Sequence, residues 1–246
     1  MPIGKLARYV LFAALIGISI LSYLREENAP VKNVPIEPSS DAPVERQAGE
    51  RFSLPSGTGF DYYVLALSWS PSYCAAEGQN ANQQQCSLGR LYGFVVHGLW
   101  PQYERGYPQD CDTSQPRNVP FAQAKQLSDI MPSPGIVTYE WRKHGSCTGL
   151  TQEDYFSVMR QAVKRVAIPA AYRQPTSRAP INPQVLEQAF VSANPGLAKD
   201  GIAVTCDSDY LREVRVCLTK DLNFRPCPEV ERSSCRRRSV DMPAVQ

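Results

Sequence analysis

The pattern of apolar and polar positions predicts short strands towards both ends of one folded region. Residues 62–67 and 91–96 are apolar runs rich in aromatic and β-branched side chains, which is typical of buried strands. The second run leads directly to His97. Residues 202–205 and 213–218 return to an apolar period of two, which again predicts strands.

The middle of the chain favours helices. A short helix is predicted over 121–131, and Thr151 followed by Asp154 has the capping-box pattern that begins a second one. Asn182-Pro183 is typical of the start of a third helix. The Gln- and Asn-rich stretch 75–85 is expected to be a loop. Strands and helices mixed in this order predict an α+β domain.

The N-terminus has the composition of an export signal. Lys5 and Arg8 precede an uncharged apolar run over 9–24, which is typical of a signal peptide. The run is slightly shorter than the roughly 20 residues of a comfortable membrane span. Residues 1–24 are therefore expected to be a cleaved signal peptide or an uncleaved signal anchor. Both alternatives export the rest of the chain to the periplasm or the extracellular space.

Composition also predicts the domain boundaries. Residues 25–59 are rich in Pro, Glu, Ser and Ala, which predicts a flexible linker without a core of its own. The folded domain is therefore expected over 60–238, with 239–246 as a short tail. The arginines at 236–238 are expected to belong to a solvated tail, with contact to phosphate groups as the alternative.

The charge balance does not by itself indicate nucleic-acid binding. The chain has 26 Lys and Arg against 24 Asp and Glu, and without Lys5 and Arg8 both counts are 24. A near-neutral domain lacks the basic surface that typifies many nucleic-acid-binding proteins. Recognition of a polyanion would therefore depend on a local site.

The eight cysteines all lie downstream of the export segment. An even number of cysteines in an exported chain is typical of a disulfide framework. Metal ligation, the alternative, is disfavoured because the chain has no C-x-x-C pair and no zinc-finger spacing. We therefore expect four disulfides and no metal bound by the cysteines.

Both histidines of the chain lie in unusual local sequences. One segment is His97-Gly98-Leu99-Trp100-Pro101, and the other is Glu140-Trp141-Arg142-Lys143-His144-Gly145-Ser146-Cys147. Glu140, Lys143 and His144 stand at i, i+3 and i+4, so a helix would place them on one face.

These residue types suit acid–base chemistry at a phosphodiester. Imidazole takes and gives protons near neutrality, and lysine supplies positive charge. Cleavage by a neighbouring 2′-hydroxyl needs a base, an acid and positive charge on the non-bridging oxygens. Either segment alone also has a structural explanation, as a helix end, a solvated helix face or core tryptophans. The residues therefore indicate a two-histidine acid–base site without identifying its substrate.

The two segments resemble the signature motifs of the ribonuclease T2 family of secreted ribonucleases. Residues 60–74 are similar to that family's first strand and 211–217 to a C-terminal pattern, so the resemblance covers about 60–235. It implies an α+β fold, for which we expect a central, mostly antiparallel sheet flanked by helices and stapled by disulfides. The domain over 60–238 would then be a metal-independent endoribonuclease, and the resemblance implies no cofactor.

The implied reaction is cleavage of single-stranded RNA through a 2′,3′-cyclic phosphate to 3′-phosphate ends. By resemblance, His144 would be the general base and His97 the general acid, although the reverse half-reaction exchanges these roles. Glu140 and Lys143 would stabilise the phosphorane. No DNA cleavage is expected, and the enzyme is expected to be a monomer.

Substrate-binding residues are also implied. Trp100 would stack on or wall a base, and Gln102 and Tyr103 are candidates for the rest of the base pocket. Many family members have a phosphate-holding histidine where this chain has Tyr139. Because tyrosine carries no positive charge, we expect weaker substrate binding with the chemistry retained.

The resemblance further implies a disulfide connectivity that spacing alone leaves open. The implied pairs are Cys74–Cys86, Cys111–Cys147, Cys206–Cys235 and Cys217–Cys227.

Three other functions remain as alternatives. They are a binding or signalling protein that kept the fold, a metal-dependent hydrolase, and a disulfide-rich extracellular binding module. RNA degradation that is lost in His144→Ala would separate an enzyme from a binding protein. Activity that survives a chelator would exclude the metal-dependent hydrolase. A binding module would leave the face formed by Glu140 and His144 without a purpose.

Overall fold

The computed structural model describes residues 54–245. The strands in this part of the chain are β1 (Tyr62–Trp69), β2 (Phe94–Gln102), β3 (Ala179–Ile181), β4 (Ile202–Cys206), β5 (Leu211–Leu218) and β6 (Val240–Met242). Four of them form an antiparallel sheet in the order β2-β1-β5-β4, and β3 pairs with β6.

Short helices surround the central sheet. They are α1 (Ser70–Glu77), α2 (Gln83–Cys86), α3 (Phe121–Lys125), α4 (Pro134–Lys143), α5 (Gln152–Arg165), α6 (Pro183–Ala193) and α7 (Pro228–Glu231). The predicted α+β fold with a central antiparallel sheet is therefore confirmed.

The two faces of the sheet have different surroundings. Tyr63 and Leu65 of β1 lie in the main hydrophobic core together with Tyr155 of α5 and Phe190 of α6. Val64, between the first two, belongs instead to a small cluster on the opposite face. Because side chains alternate along a strand, the second face can carry polar residues that the main core excludes.

A β-bulge in β2 turns His97 towards that second face. In the pairing with β1, Gly98 lies opposite Ala66 and Val96 lies opposite Leu67, so His97 is an extra residue. His97 and Trp100 are three residues apart, and in a regular strand such residues point to opposite faces. Because the bulge adds one residue, both side chains line the same groove. The strand predicted to end before His97 in fact continues to Gln102.

The helix predictions had mixed outcomes. The Thr151 side chain accepts a hydrogen bond from the backbone N–H of Asp154 (3.1 Å), so the predicted cap of α5 is confirmed. The Asn182 cap of α6 is confirmed as well. The helix predicted over 121–131 was too long, because α3 ends at Lys125 and turns follow.

The stretch 75–85 was wrongly predicted to be a loop, because it contributes to α1 and α2. The Asn82 side chain caps α2 by accepting a hydrogen bond from the N–H of Gln85. The side-chain amide of Gln85 is buried and donates to the hydroxyl of Ser70 at 3.0 Å. Polar residues in this stretch are therefore capping and bridging groups.

The expected tail at 239–246 needs correction, because β6 lies within it. Val240 and Met242 are buried, and the indole N–H of Trp69 donates to the carbonyl of Pro243 at 2.9 Å. The alternation of apolar Val240, polar Asp241 and apolar Met242 was the overlooked strand signal. The arginines at 236–238 are exposed.

At the other boundary, the backbone N–H of Thr58 donates to the carbonyl of Thr148 at 2.8 Å, so the end of the expected linker contacts the domain. The predictions for residues 1–24 and for 25–53 lie outside the described residues. No helix within 54–245 has the length and apolar character to cross a membrane.

All eight cysteines are paired as the resemblance implied. The disulfides are Cys74–Cys86, Cys111–Cys147, Cys206–Cys235 and Cys217–Cys227. The second of these joins the turn after α4 to the loop that follows β2.

Candidate active site

A groove of about 270 Å³ lies on the second face of the sheet, between β2, β5 and α4. The predicted catalytic residues that line it are His97, Glu140, Lys143 and His144. The predicted substrate-binding residues that line it are Trp100, Gln102 and Tyr139. The fold thus brings together two segments that are far apart in the sequence.

His97 lies between two carboxylates. Its Nδ1 is 2.5 Å from Oε1 of Glu213, and its Nε2 is 3.4 Å from Oε1 of Glu140. Burial alone would lower the pKa of His97, but the hydrogen bond to Glu213 and the negative charges of both carboxylates outweigh burial and raise the pKa. His97 is therefore favoured as the protonated imidazolium.

Glu140, near the end of α4, is only 1% exposed. Its Oε2 accepts a hydrogen bond from the indole N–H of Trp100 at 2.7 Å. Burial raises the pKa of Glu140, although His97, Trp100 and Lys143 act against that rise. A Cβ atom on Gly98 would overlap both Oε2 of Glu140 and Nε1 of Trp100, so the close approach of α4 to β2 requires glycine there.

His144 lies just beyond α4, with φ −122° and ψ −49°. Its backbone N–H still donates to the carbonyl of Glu140 at 2.9 Å, which holds it near the helix end. Burial, together with the positive charges of Lys143 and His97, lowers the pKa of His144 to about 3. Nδ1 of His144 is buried without a hydrogen-bond partner among residues 54–245, and the imidazole lines the groove. These surroundings favour the neutral form of His144.

Lys143 supplies positive charge at the opening of the groove. Its ammonium donates a hydrogen bond to the hydroxyl of Tyr139 at 3.0 Å, one helical turn earlier. That hydrogen bond raises the pKa of Lys143, so the ammonium stays charged. Glu140, Lys143 and His144 line the same groove, although the helix ends at Lys143 and His144 lies just beyond it.

Aromatic rings form the walls around the histidines. The Trp100 ring centroid lies 5.3 Å from that of His97 and 5.4 Å from that of His144. The ring of Tyr107, 6.2 Å from His144, also lines the groove and was missed in the sequence. Tyr103, which was expected there, is exposed and does not line the groove. Gln102 does line it, and its side-chain amide donates to the carbonyl of Pro101 at 3.0 Å.

A second groove, of about 490 Å³, begins on the other side of His97. Its lining includes Ser68, Ile136, Arg212 and Arg215. His97 lines both grooves and is therefore accessible from two directions.

Sequence reasoning also missed Glu213 and Arg215. They occupy the same side of β5, and the guanidinium of Arg215 donates to Oε2 of Glu213 through Nε (2.9 Å) and Nη2 (2.7 Å). The available signal was a pair of opposite charges at i and i+2 in a strand that is apolar apart from these two residues and Arg212. Among residues 54–245, no group of three His, Cys, Asp or Glu side chains is arranged to hold a metal ion.

Comparisons with known proteins identify the family of this chain. Residues 60–227 match the model of the Ribonuclease T2 family. The chain is 36% identical over 166 residues to a ribonuclease of Aeromonas hydrophila, a match that covers 66% of this chain and 73% of that protein. It is 34% identical over 121 residues to a probable ribonuclease of Haemophilus influenzae, which covers 44% of each chain.

A similar structure is known as well. The RNase-related protein from Calystegia sepium superimposes with a TM-score of 0.60 at 25% sequence identity. That match covers 77% of this chain and 100% of the other.

Proposed function

Because the chain belongs to the ribonuclease T2 family, we propose that its groove cleaves RNA with His144 as general base and His97 as general acid. The chain is a metal-independent endoribonuclease of the T2 type. The observation that carries the assignment of roles is the difference in charge environment between the two imidazoles.

The two environments select opposite protonation states. A general base must begin neutral, and burial beside Lys143 favours neutral His144. A general acid must begin protonated, and the carboxylates of Glu140 and Glu213 favour protonated His97. Each environment therefore shifts its histidine towards the protonation state that the first step needs.

In that step Nε2 of His144 accepts the proton of the 2′-hydroxyl, and the 2′-oxygen attacks phosphorus. The bond from phosphorus to the 5′-oxygen breaks, and Nε2–H of His97 protonates the leaving oxygen. The products are a 2′,3′-cyclic phosphate and a new 5′-hydroxyl. In the second step, water gives a proton to His97 and attacks phosphorus, while His144 returns a proton to the 2′-oxygen to leave a 3′-phosphate.

Lys143 and Glu140 act on the charge of the phosphorane. The ammonium of Lys143 is a fixed positive charge at the groove. In the free enzyme the negative charge of Glu140 helps to keep His97 protonated. Burial raises the pKa of Glu140, and a bound phosphate adds negative charge that favours its protonated form, which can donate a hydrogen bond to a non-bridging oxygen. Trp100 keeps this carboxyl group oriented through its indole N–H.

The substrate is single-stranded RNA, because the walls suit an unstacked base. Trp100 and Tyr107 offer aromatic faces, and aromatic stacking is a common way to hold bases of single-stranded RNA. Gln102 provides polar groups nearby. The second groove beyond His97 is positioned for the nucleotide that carries the leaving 5′-oxygen. Tyr139 stands where many family members have a histidine that can carry positive charge. Its uncharged hydroxyl weakens phosphate binding.

The enzyme acts outside the cytoplasm as a monomer. Four disulfides pair all eight cysteines, which agrees with folding in an oxidising compartment. Periplasmic or extracellular release, and the alternative of an N-terminal membrane anchor over 1–24, remain proposals from the sequence. N-terminal sequencing of the exported protein, with gel filtration of the same sample, would test the processing and the monomer.

The reaction is tested on a defined RNA oligonucleotide with a chelator present, beside a copy that has 2′-deoxyribose at the cleaved position. We expect a cyclic phosphate followed by a 3′-phosphate from the RNA and no cleavage of the deoxy position. Cleavage at the deoxy position, or loss of activity to the chelator, would overturn the proposed reaction.

The acid and base roles are separated with a nucleoside 3′-(4-nitrophenyl) phosphate, whose leaving group needs no proton. On this substrate His97→Ala should recover most of its activity relative to wild type, whereas His144→Ala should remain as impaired as it is on RNA. The two variants serve as matched controls for each other. The reverse pattern would exchange the assigned roles.

A further inference from the structure

The carboxylate of Glu213 makes the shortest polar contact of His97, at 2.5 Å from Nδ1. The two residues lie on β2 and β5, with β1 between these strands. Their side chains meet above β1 because the β1 residues beneath them, Ala66 and Ser68, are small. In the register, Ala66 lies opposite Gly98 and Arg215, and Ser68 lies opposite Glu213. The sheet is therefore built to let a long carboxylate side chain reach the histidine.

Further contacts hold this carboxylate in place. Both Nε and Nη2 of Arg215 donate to its Oε2, at 2.9 and 2.7 Å, and the hydroxyl of Ser68 donates to its Oε1 at 3.3 Å. Glu213 is 8% exposed, so its position is set by these groups more than by solvent. The guanidinium of Arg215 also lies 5.2 Å from the ring centroid of Trp100, which links the pair to the wall of the groove.

We propose that Glu213 is a positioning residue for the acid step, and that Arg215 limits how strongly Glu213 holds the proton on His97. Glu213 accepts the Nδ1–H of His97, which leaves Nε2–H directed towards the groove and Glu140. A histidine whose other ring nitrogen is held by a carboxylate keeps one orientation and one tautomer. Arg215 neutralises part of the carboxylate's charge, so His97 can still release its proton. This inference rests on the proposed acid role of His97.

Titratable and charged groups reach His97 from α4 and β5. Glu140 comes from α4, Glu213 and Arg215 come from β5, and the imidazole of His144 follows α4. Both carboxylates raise the pKa of His97 and Arg215 lowers it. Removing Glu213 and removing Arg215 should therefore shift the protonation of His97 in opposite directions.

The test is an NMR titration of the free protein, in which only two histidines give signals. His144→Ala identifies the signal of His97. We expect Glu213→Gln to lower the His97 midpoint by about one pH unit, and Arg215→Gln to raise it. Glu187→Gln is the matched control, because Glu187 is a similarly buried glutamate (6% exposed) on α6, and it should leave the midpoint unchanged. Equal midpoints in wild type, Glu213→Gln and Arg215→Gln would overturn the inference.

Kinetics supply the second readout. Glu213→Gln should reduce kcat by about ten- to a hundredfold with little change in KM, and should move the alkaline limb of the kcat profile to lower pH. Glu213→Asp keeps the charge but is one methylene too short to reach His97, so it should lose kcat with a smaller shift of the midpoint.

If Glu213→Gln does not fold, as judged by circular dichroism and thermal unfolding, the Asp variant and Arg215→Gln carry the test. A kcat equal to wild type in folded Glu213→Gln would contradict the positioning role. Because the titration is measured without substrate, its outcome is independent of whether the protein cleaves RNA.

Discussion

Trp100 donates its indole N–H to Oε2 of Glu140 across 2.7 Å. This bond joins β2 to α4 and uses an aromatic side chain that also forms the wall between the two imidazoles. Trp100 therefore has two separable functions, since its ring walls the groove and its N–H orients a buried carboxyl group.

Trp100→Phe would separate the two, because it keeps an aromatic ring and removes the N–H. A hydrogen bond to a charged or partly charged group contributes roughly 1.5–3 kcal/mol, so kcat/KM should fall by about ten- to a hundredfold. Kinetics of Trp100→Phe, Glu140→Gln and the double variant would check this. Losses that simply multiply in the double variant would show that the two side chains act independently.

The pH dependence of kcat/KM should be a broad bell whose acid limb lies far below neutral pH. The base must be neutral, so activity falls on the acid side only as pH approaches the His144 pKa of about 3. The acid must be protonated, so activity falls on the alkaline side above 6.5, since the pKa of His97 is raised from that value. An acid limb near pH 6.5 would contradict the assigned environment of His144.

Tyr139→His tests the departure from the family motif. An imidazolium at this position would add positive charge near the phosphate at acidic pH, so KM should fall severalfold there and the gain should fade above about pH 6.5. Tyr139→Phe is the control, because it removes the hydroxyl that accepts from Lys143 without adding charge. If Tyr139→His improves neither KM nor kcat/KM, the tyrosine does not weaken phosphate binding.

Gly98→Ala should be more harmful than its small size suggests. The added Cβ would overlap Glu140 and Trp100, and overpacking of this kind typically destabilises by about 1–3 kcal/mol. We expect a lower Tm and a loss of activity that exceeds the loss of folded protein. In Gly135→Ala, on the same helix as Glu140, the Cβ would meet only Oγ of Ser133 at 3.6 Å, so Tm should be unchanged or slightly higher. Equal effects of the two substitutions would argue against the close approach at Gly98.

Local signals in the sequence were enough for the parts of the fold that depend on neighbouring residues. The cap at Thr151 and the cap at Asn182 involve contacts within a few positions, and both were predictable. The two histidine segments were recognisable because their residues are close in sequence. The short helices over 75–85 were not, because Gln85 is satisfied by Ser70, a contact made only after folding.

The missed parts of the site depend on tertiary contacts. Glu213 contacts His97 although the two residues are 116 positions apart in the sequence. The contact depends on the order of the strands β2, β1 and β5 and on the bulge in β2, neither of which follows from the apolar periodicity of the sequence. Tyr107 was missed and Tyr103 expected because the direction of a loop side chain is set by the turn. The backbone N–H of Tyr103 donates to the carbonyl of Gly106 across this turn, and the Tyr103 side chain is exposed.

The unequal surroundings of the two imidazoles bear on the time course of products. After the first step His144 carries a proton that its buried position disfavours, and His97 has lost one that its carboxylates favour. Proton exchange with solvent returns His144 to its neutral form and His97 to its protonated form. Hydrolysis of the cyclic phosphate needs the opposite protonation states. We therefore expect early digests to contain mainly cyclic ends, with linear 3′-phosphates accumulating only in a slow later phase.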